Sequence, residues 1–273
     1  MAKIDKSKYS KEEIKAIKAK KQERKQAKLL RKSIANFPES KNKNILVLKH
    51  GQKYSADYVN KMFNMVSANL KDFNFYCITE DPGNLDHRIN VIPLPTVAVT
   101  GWWYKPYIFS ADLPIEGTIL YLDLDLVITN TLDRLFDFYP GEYCIIRDFT
   151  RAMRPKWEKY NSSVIRFEKG QLDYVWQKFK KEHLQIVRKH YGDQDYLYEV
   201  THGKAKVYPD SWVRSWKWEV RKDKRFKPGQ PRGQRELQNI EHIEAPEDCC
   251  IVAFHGDPNP HNCHDPYIIK KWI

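Results

Sequence analysis

Two kinds of hydrophobic pattern alternate along the chain: short continuous apolar runs, and stretches where apolar residues recur every three or four positions. Asn44–Lys49 is a run of the first kind, ending in Lys49-His50-Gly51, and reads as a first strand with its loop. Ser55–Leu70, apolar at 58, 59, 62, 63, 66 and 70, carries a helical stripe. Phe73–Thr79 and Ile89–Leu94 read as two further strands, separated by the Asp81-Pro82-Gly83 turn signal. A helix is expected over Tyr107–Ala111, and a short one over Thr131–Phe138 with Thr131 as its cap. Glu142–Arg147 and Ser163–Phe167 are strand candidates, Leu172–His190 is the clearest later helix, and Asp193–Val200 is a shorter one. Strands alternating with helices predict an α/β fold with a mainly parallel central sheet and crossover helices. Residues 222–236, Lys/Arg-rich with two prolines and two glycines, read as a loop or insertion.

Thr118–Asn130 departs from this pattern in one respect. Its apolar, β-branched residues predict a buried strand, yet Asp123 and Asp125 lie within it. An unpaired carboxylate is costly in such a place. Residues i and i+2 of a strand face the same way, so the pair can converge on one cation. The C-terminal edge of an α/β sheet is also where such folds bind ligands. A divalent-metal clamp on a phosphorylated ligand is one reading, and a solvated turn or helix N-cap is the plainer one.

Charge is unevenly distributed. Of 273 residues, 47 are Lys or Arg and 35 Asp or Glu, but residues 1–35 alone hold 13 and 4 of these. The remainder is therefore close to neutral, and the basicity belongs to an N-terminal appendage. This divides the chain into a basic helical extension over 1–40 and a single domain over 41–273. Ser10–Ala35 is rich in helix formers, and Ser10 with Glu13 fits a capping box. It reads either as a solvated helix or as an electrostatic arm for nucleic acid or an anionic membrane surface. Lys and Glu interrupt every apolar stretch near the start, and no run is long enough to span a bilayer, so a soluble cytoplasmic protein is expected. Five cysteines without paired spacing argue against a disulfide framework. Cys249, Cys250, His255, His261, Cys263 and His264 crowd one stretch, but without the Cys-X-X-Cys hairpin usual for structural zinc.

Four segments in order carry a family resemblance: Leu48-Lys-His-Gly51, Tyr121-Leu-Asp-Leu-Asp125, Tyr191-Gly-Asp-Gln-Asp195 and Phe254-His-Gly-Asp-Pro-Asn-Pro-His261. Over about residues 44–265 the chain resembles GT-A fold glycosyltransferases, in particular the glycogenin-like and bacterial lipooligosaccharide galactosyltransferase-like group, and within it stand-alone bacterial and phage members. The resemblance implies a nucleotide-sugar-binding, Rossmann-like GT-A fold, a UDP-sugar donor, and Mn²⁺ or Mg²⁺ held by Asp123, Asp125 and His255. Carboxylate oxygens with one imidazole suit such a cation, whose remaining positions phosphates can fill. The same resemblance gives Asp193 contacts to sugar hydroxyls, places Gln194 near the anomeric carbon, and brings Asn161 to the donor sugar. Lys105 would contact the donor from the turn before a helix beginning at Pro106. Lys49, Gly51, Tyr54 and Asp81, with Asp123 and His261, would line the nucleotide side.

One departure stands out. Where the group carries a diphosphate-binding Lys after its late His and Gly, this chain has Asn259, between Pro258 and Pro260. Lys105, His261, Lys270 or Lys271 could supply the missing charge. Ser211–Trp218, with three tryptophans among Arg214 and Lys217, reads as a lid strand or as an aromatic, basic surface for a phosphate-bearing acceptor. DNA and a lipid-linked or surface glycan are the acceptors considered, with peripheral membrane contact for the latter. The resemblance leans towards retention of anomeric configuration. Two other functions are weighed beside this one: a catalytically silent polyanion-binding module on the same fold, and a metal-dependent phosphohydrolase or nucleotidyltransferase.

Overall fold

The computed structural model describes residues 43–220 and 247–273. The basic extension and the segment 222–236 lie outside the described residues.

The strands β1 (Lys43–Lys49), β2 (Phe73–Thr79), β3 (Asn90–Ile92) and β4 (Thr118–Leu122) pair in parallel in the order β3-β2-β1-β4. β2 and β4 flank β1 at its edges, and full burial of the consecutive residues Ile45, Leu46 and Val47, which point to alternate faces, shows that both faces are covered too, as an unbroken apolar run requires. The helix α1 (Ala56–Asn69) turns its apolar stripe inward through Val59, Met62 and Val66.

After β4 the chain leaves the large sheet. The next strand, β5 (Leu126–Ile128), belongs to a separate three-stranded sheet, so the residues between, Asp123 to Asp125, make the crossing. A short helix, α2 (Asp133–Asp137), precedes β6 (Cys144–Arg147) and β7 (Tyr160–Glu168). β7 runs antiparallel to both β4 and β6, within a mostly parallel sheet. It is also longer than the Ser163–Phe167 expected, which brings Asn161 and Ser162 onto the strand. The helices α3 (Asp173–Lys189) and α4 (Asp193–Thr201) and the edge strand β8 (Lys206–Val207) complete the main sheet and its cover. The small sheet joins β9 (Val213–Ser215), β10 (Ile251–Ala253) and β5. A last helix, α5 (Pro266–Lys271), is capped by Asp265, whose carboxylate accepts from the Tyr267 amide at 2.9 Å.

Two local expectations are corrected. In place of a helix over Tyr107–Ala111, a 3₁₀-helix covers Gly101–Phe109. Burial of Trp103, stacked on Phe179 at 5.9 Å, and of Ile108 and Phe109 holds that segment, a tertiary gain that local pattern does not record. Lys105 therefore lies inside the helix and not in a preceding turn. Thr131 is not the cap of α2, a position taken by Leu132. The Thr131 hydroxyl nonetheless accepts the Asp133 amide at 3.3 Å, the hydrogen bond expected of a cap, and donates to the Asp133 carboxylate at 2.6 Å. Among the described residues no helix is long and apolar enough to cross a membrane.

Candidate active site

The C-terminal ends of β1 and β4 converge where the chain crosses between sheets, and charged groups collect there. Lys105 is the hub. Its ammonium lies 2.9 and 3.1 Å from the two oxygens of Asp123, 3.0 Å from the Ser162 hydroxyl and 3.5 Å from Asp193. Ser162 in turn donates to Asp193 at 2.6 Å. The 3₁₀-helix supplies Lys105, β7 supplies Ser162, and the first turn of α4 supplies Asp193, with Gly192 as its cap. Asp193 is thus the first residue of the helix and not its cap. Its carboxylate is favoured there by the helix dipole. Burial works against the Lys105 charge, but Asp123 and Asp193 outweigh it and hold the pKa above its usual value. Burial also raises Asp193, with Lys105 and Ser162 opposing.

Asp123 receives a second donor, the Tyr121 hydroxyl at 2.7 Å. Asp125 is less well compensated. Tyr54 donates to it at 3.0 Å, but burial and the Asp123 charge push its pKa up to about 6. Both phenols are raised above their ordinary values, first by burial and then by these carboxylates, so they remain donors. Two half-buried carboxylates of which one is short of positive charge suit a divalent cation in their donor chemistry.

His255 follows β10. The Phe254 amide donates to the Asp125 carbonyl at 2.9 Å, which sets the His255 backbone beside the carboxylate pair. The imidazole Nε2 lies 2.6 Å from the Ser215 hydroxyl. Among the described residues no three His, Cys, Asp or Glu side chains form a closed ligand set for a metal ion. The three residues expected as ligands are therefore adjacent in backbone placement, without their side chains closing on one point.

On the sugar side, the Asn161 amide donates to the Gln194 carbonyl at 3.3 Å, so these two expected residues also meet. On the nucleotide side, Lys49 pairs with Asp81 at 3.6 Å across the ends of β1 and β2. Gly51, at φ +65°, donates its amide to Glu80 at 2.6 Å. His261 shares a hydrogen bond between its Nδ1 and the Tyr58 hydroxyl. Asn259 caps the following 3₁₀ turn, its amide donating to Asn262 at 2.7 Å. Lys271 donates to the Thr129 carbonyl at 3.2 Å. A cation does reach the Gly256–Asn259 loop, however. Lys217 donates to the Asp257 carbonyl at 3.3 Å, and a side-chain carbon on Gly256 would meet its ammonium at 3.3 Å. Cys249 and Cys250 are buried, their thiols raised by burial to about 11 and about 12, and donate to the Ile251 and Asp248 carbonyls.

Sequence reasoning missed Tyr121, Ser162 and Ser215. Tyr121 was within reach, since it precedes Asp123 by two and shares its side of the chain. Ser162 and Ser215 carried no signal, because a serine's role depends on what folds against it.

No known family profile matches the chain, and no curated protein matches it. Solved structures do. The galactosyltransferase LgtC, in complex with donor and acceptor sugar analogues, superposes with a TM-score of 0.59 at 12% identity, covering 83% of this chain and 93% of that one. An active-site mutant of LgtC gives 0.58 at 13% identity over the same shares. The apo glycosyltransferase GlyE from Streptococcus pneumoniae TIGR4 gives 0.54 at 14% identity, covering 85% of this chain and 61% of that one. The protein thus has the GT-A fold of glycosyltransferases. It resembles LgtC over nearly that enzyme's whole length.

Proposed function

We propose that the protein is a metal-dependent glycosyltransferase, moving a sugar from a nucleotide-diphosphate donor, in first place a UDP-sugar, to an acceptor hydroxyl. The observation that carries this reading is the Lys105 ammonium spanning Asp123 and Asp193. It ties the carboxylate expected to hold the cation to the one expected to hold the sugar, within a fold that glycosyltransferases use.

Asp123, Asp125 and His255 would hold Mn²⁺ or Mg²⁺. The under-compensated Asp125 carboxylate supports this, as does the backbone pairing that places His255 beside it. Such a cation, when bound, neutralises charge on the departing diphosphate as a Lewis acid. The chain's own residues do the rest. Asp193, fixed by Ser162 and Lys105, accepts hydrogen bonds from sugar hydroxyls. Asn161 holds the Gln194 amide in one orientation at the reacting face. Lys217, whose ammonium reaches the loop that follows His255 from the turn Trp216–Val220, supplies positive charge for the diphosphate, a role for which Asn259 has none to offer. Retention of anomeric configuration is the expected course. The acceptor is DNA or an anionic or lipid-linked glycan met from the cytoplasm, with the basic extension contributing attraction.

The test is release of UDP from UDP-sugars with Mn²⁺. Turnover that disappears in Asp125→Ala supports the proposal. No release above that variant would point to the silent binding module, and nucleoside monophosphate or inorganic phosphate as product would point to a phosphohydrolase or nucleotidyltransferase.

A further inference from the structure

We propose that the outward face of α3, with Tyr191 and Trp102 beyond its C-terminal end, docks on an anionic lipid bilayer and brings the candidate site beside the membrane surface. Docking itself stands on this face alone, whereas its purpose, access to a lipid-linked acceptor, rests on the reading above.

On its inner side α3 packs on the 3₁₀-helix Gly101–Phe109, where Trp176 meets Tyr107 at 5.1 Å and Phe179 stacks on Trp103 at 5.9 Å. Exposed positions fall at 177–178, 180–181, 184–185 and 188–189, the three-and-four spacing of a face turned to water. Charge on this helix is one-sided, with five Lys or Arg against two Asp or Glu, although the domain as a whole is close to neutral. Lys189 is answered by Glu199 at 2.6 Å. Lys180, Lys181 and Arg188 come within ion-pair distance of no carboxylate among the described residues. A positive face of this kind is complementary to a surface of lipid phosphates.

Among the described large apolar side chains, Tyr191 and Leu184 are the two most exposed, at 87% and 61%. One such residue alone would signify little, but these two interleave with the cations. Leu184 lies between Lys181 and Arg188, and Tyr191 follows the helix by two residues. Trp102, 54% exposed, reaches the same end: its Nε1 would stand 3.6 Å from a side-chain carbon on Gly192. Gly192 caps α4, whose first residue is Asp193, so the two rings border the candidate site. At a bilayer interface, Lys and Arg lay their alkyl stems along the acyl boundary with the charges at the phosphates, and Tyr and Trp settle at headgroup level. Duplex DNA would engage the cations but leave Leu184 in water. A bilayer takes both kinds of group, which assigns the face to lipid.

The experiment sediments full-length protein with vesicles of phosphatidylcholine, with and without phosphatidylglycerol. Wild type should bind the anionic vesicles more tightly than the neutral ones. Lys180→Gln, Lys181→Gln and Arg188→Gln, combined in one chain, should weaken that binding about fivefold per cation removed. Leu184→Ser should weaken it at high salt as well as low, because apolar insertion is not screened. None of these positions belongs to the candidate site, so UDP release without vesicles should match wild type. Variants that bind anionic vesicles as tightly as wild type overturn the proposal. So does a loss of duplex DNA binding in the triple variant with vesicle binding kept, which would give the face to nucleic acid. A chain that docks as expected but releases no UDP from any UDP-sugar upholds the docking and removes the purpose assigned to it.

Discussion

The Lys105 ammonium stands between two carboxylates, 2.9 Å from Asp123 and 3.5 Å from Asp193, with the Ser162 hydroxyl 3.0 Å away. Removing one member of a buried, hydrogen-bonded charge group leaves the others uncompensated, which costs about 3–5 kcal/mol. Lys105→Met should destabilise the protein by that order, read as a lower urea midpoint, and should abolish turnover. A midpoint equal to wild type would show that the group is solvated and not the core of the site.

Asp125 makes the opposite prediction for stability. Its folded-state pKa of about 6 lies above the ordinary 3.8, so its ionisation weighs against the fold. That penalty is absent below about pH 4, grows as pH rises, and is complete above about pH 6. Asp125→Asn should therefore melt higher than wild type at pH 7.5 in the presence of chelator, by about 1–3 kcal/mol, with the gap closing towards pH 4. Metal-dependent UDP release should be lost. Equal melting at both pH values would remove the strain from this carboxylate.

Tyr54 supplies the hydrogen bond that Asp125 does receive, at 3.0 Å. Tyr54→Phe withdraws a donor from a half-buried carboxylate and should cost about 1–3 kcal/mol, contrary in sign to Asp125→Asn. Mn²⁺ affinity, measured by titration, should fall as well, because the carboxylate loses its orienting partner. Unchanged affinity would reduce Tyr54 to a packing role.

Deleting residues 1–40 should leave UDP release intact, since every residue assigned to the site lies beyond that point. Affinity for a polyanionic acceptor should drop, and the difference from full-length protein should widen as salt is lowered. Filter binding over a salt series reads this directly. Identical curves would make the extension a bystander.

Much of the fold was legible because burial leaves a periodic trace. β1, β2, α1 and α3 lie within a residue or two of the spans that apolar spacing predicts. Strand direction leaves no such trace. β7 runs antiparallel to β4 and β6, because direction is set by how the chain enters and leaves the strand and not by the residues within it. The 3₁₀-helix around Lys105 leaves no such trace either, since its packed aromatics rest on distant elements, Trp103 and Tyr107 on α3 and Phe109 on β7.

The site divides in the same manner. By itself the sequence singled out most of the charged residues that gather at the candidate site. Asp123 and Asp125 are conspicuous because they interrupt an apolar run, where charge is costly, and Asp193, Gln194 and His255 because they stand in recognisable segments. Only the tertiary structure decided how those residues are held. Ser162 joins Lys105 to Asp193, and Ser215 grips His255 across 40 positions of chain. A hydroxyl is cheap to place almost anywhere, so its hydrogen-bonding partner is chosen by the packing of distant strands and leaves nothing to read in the local order of residues.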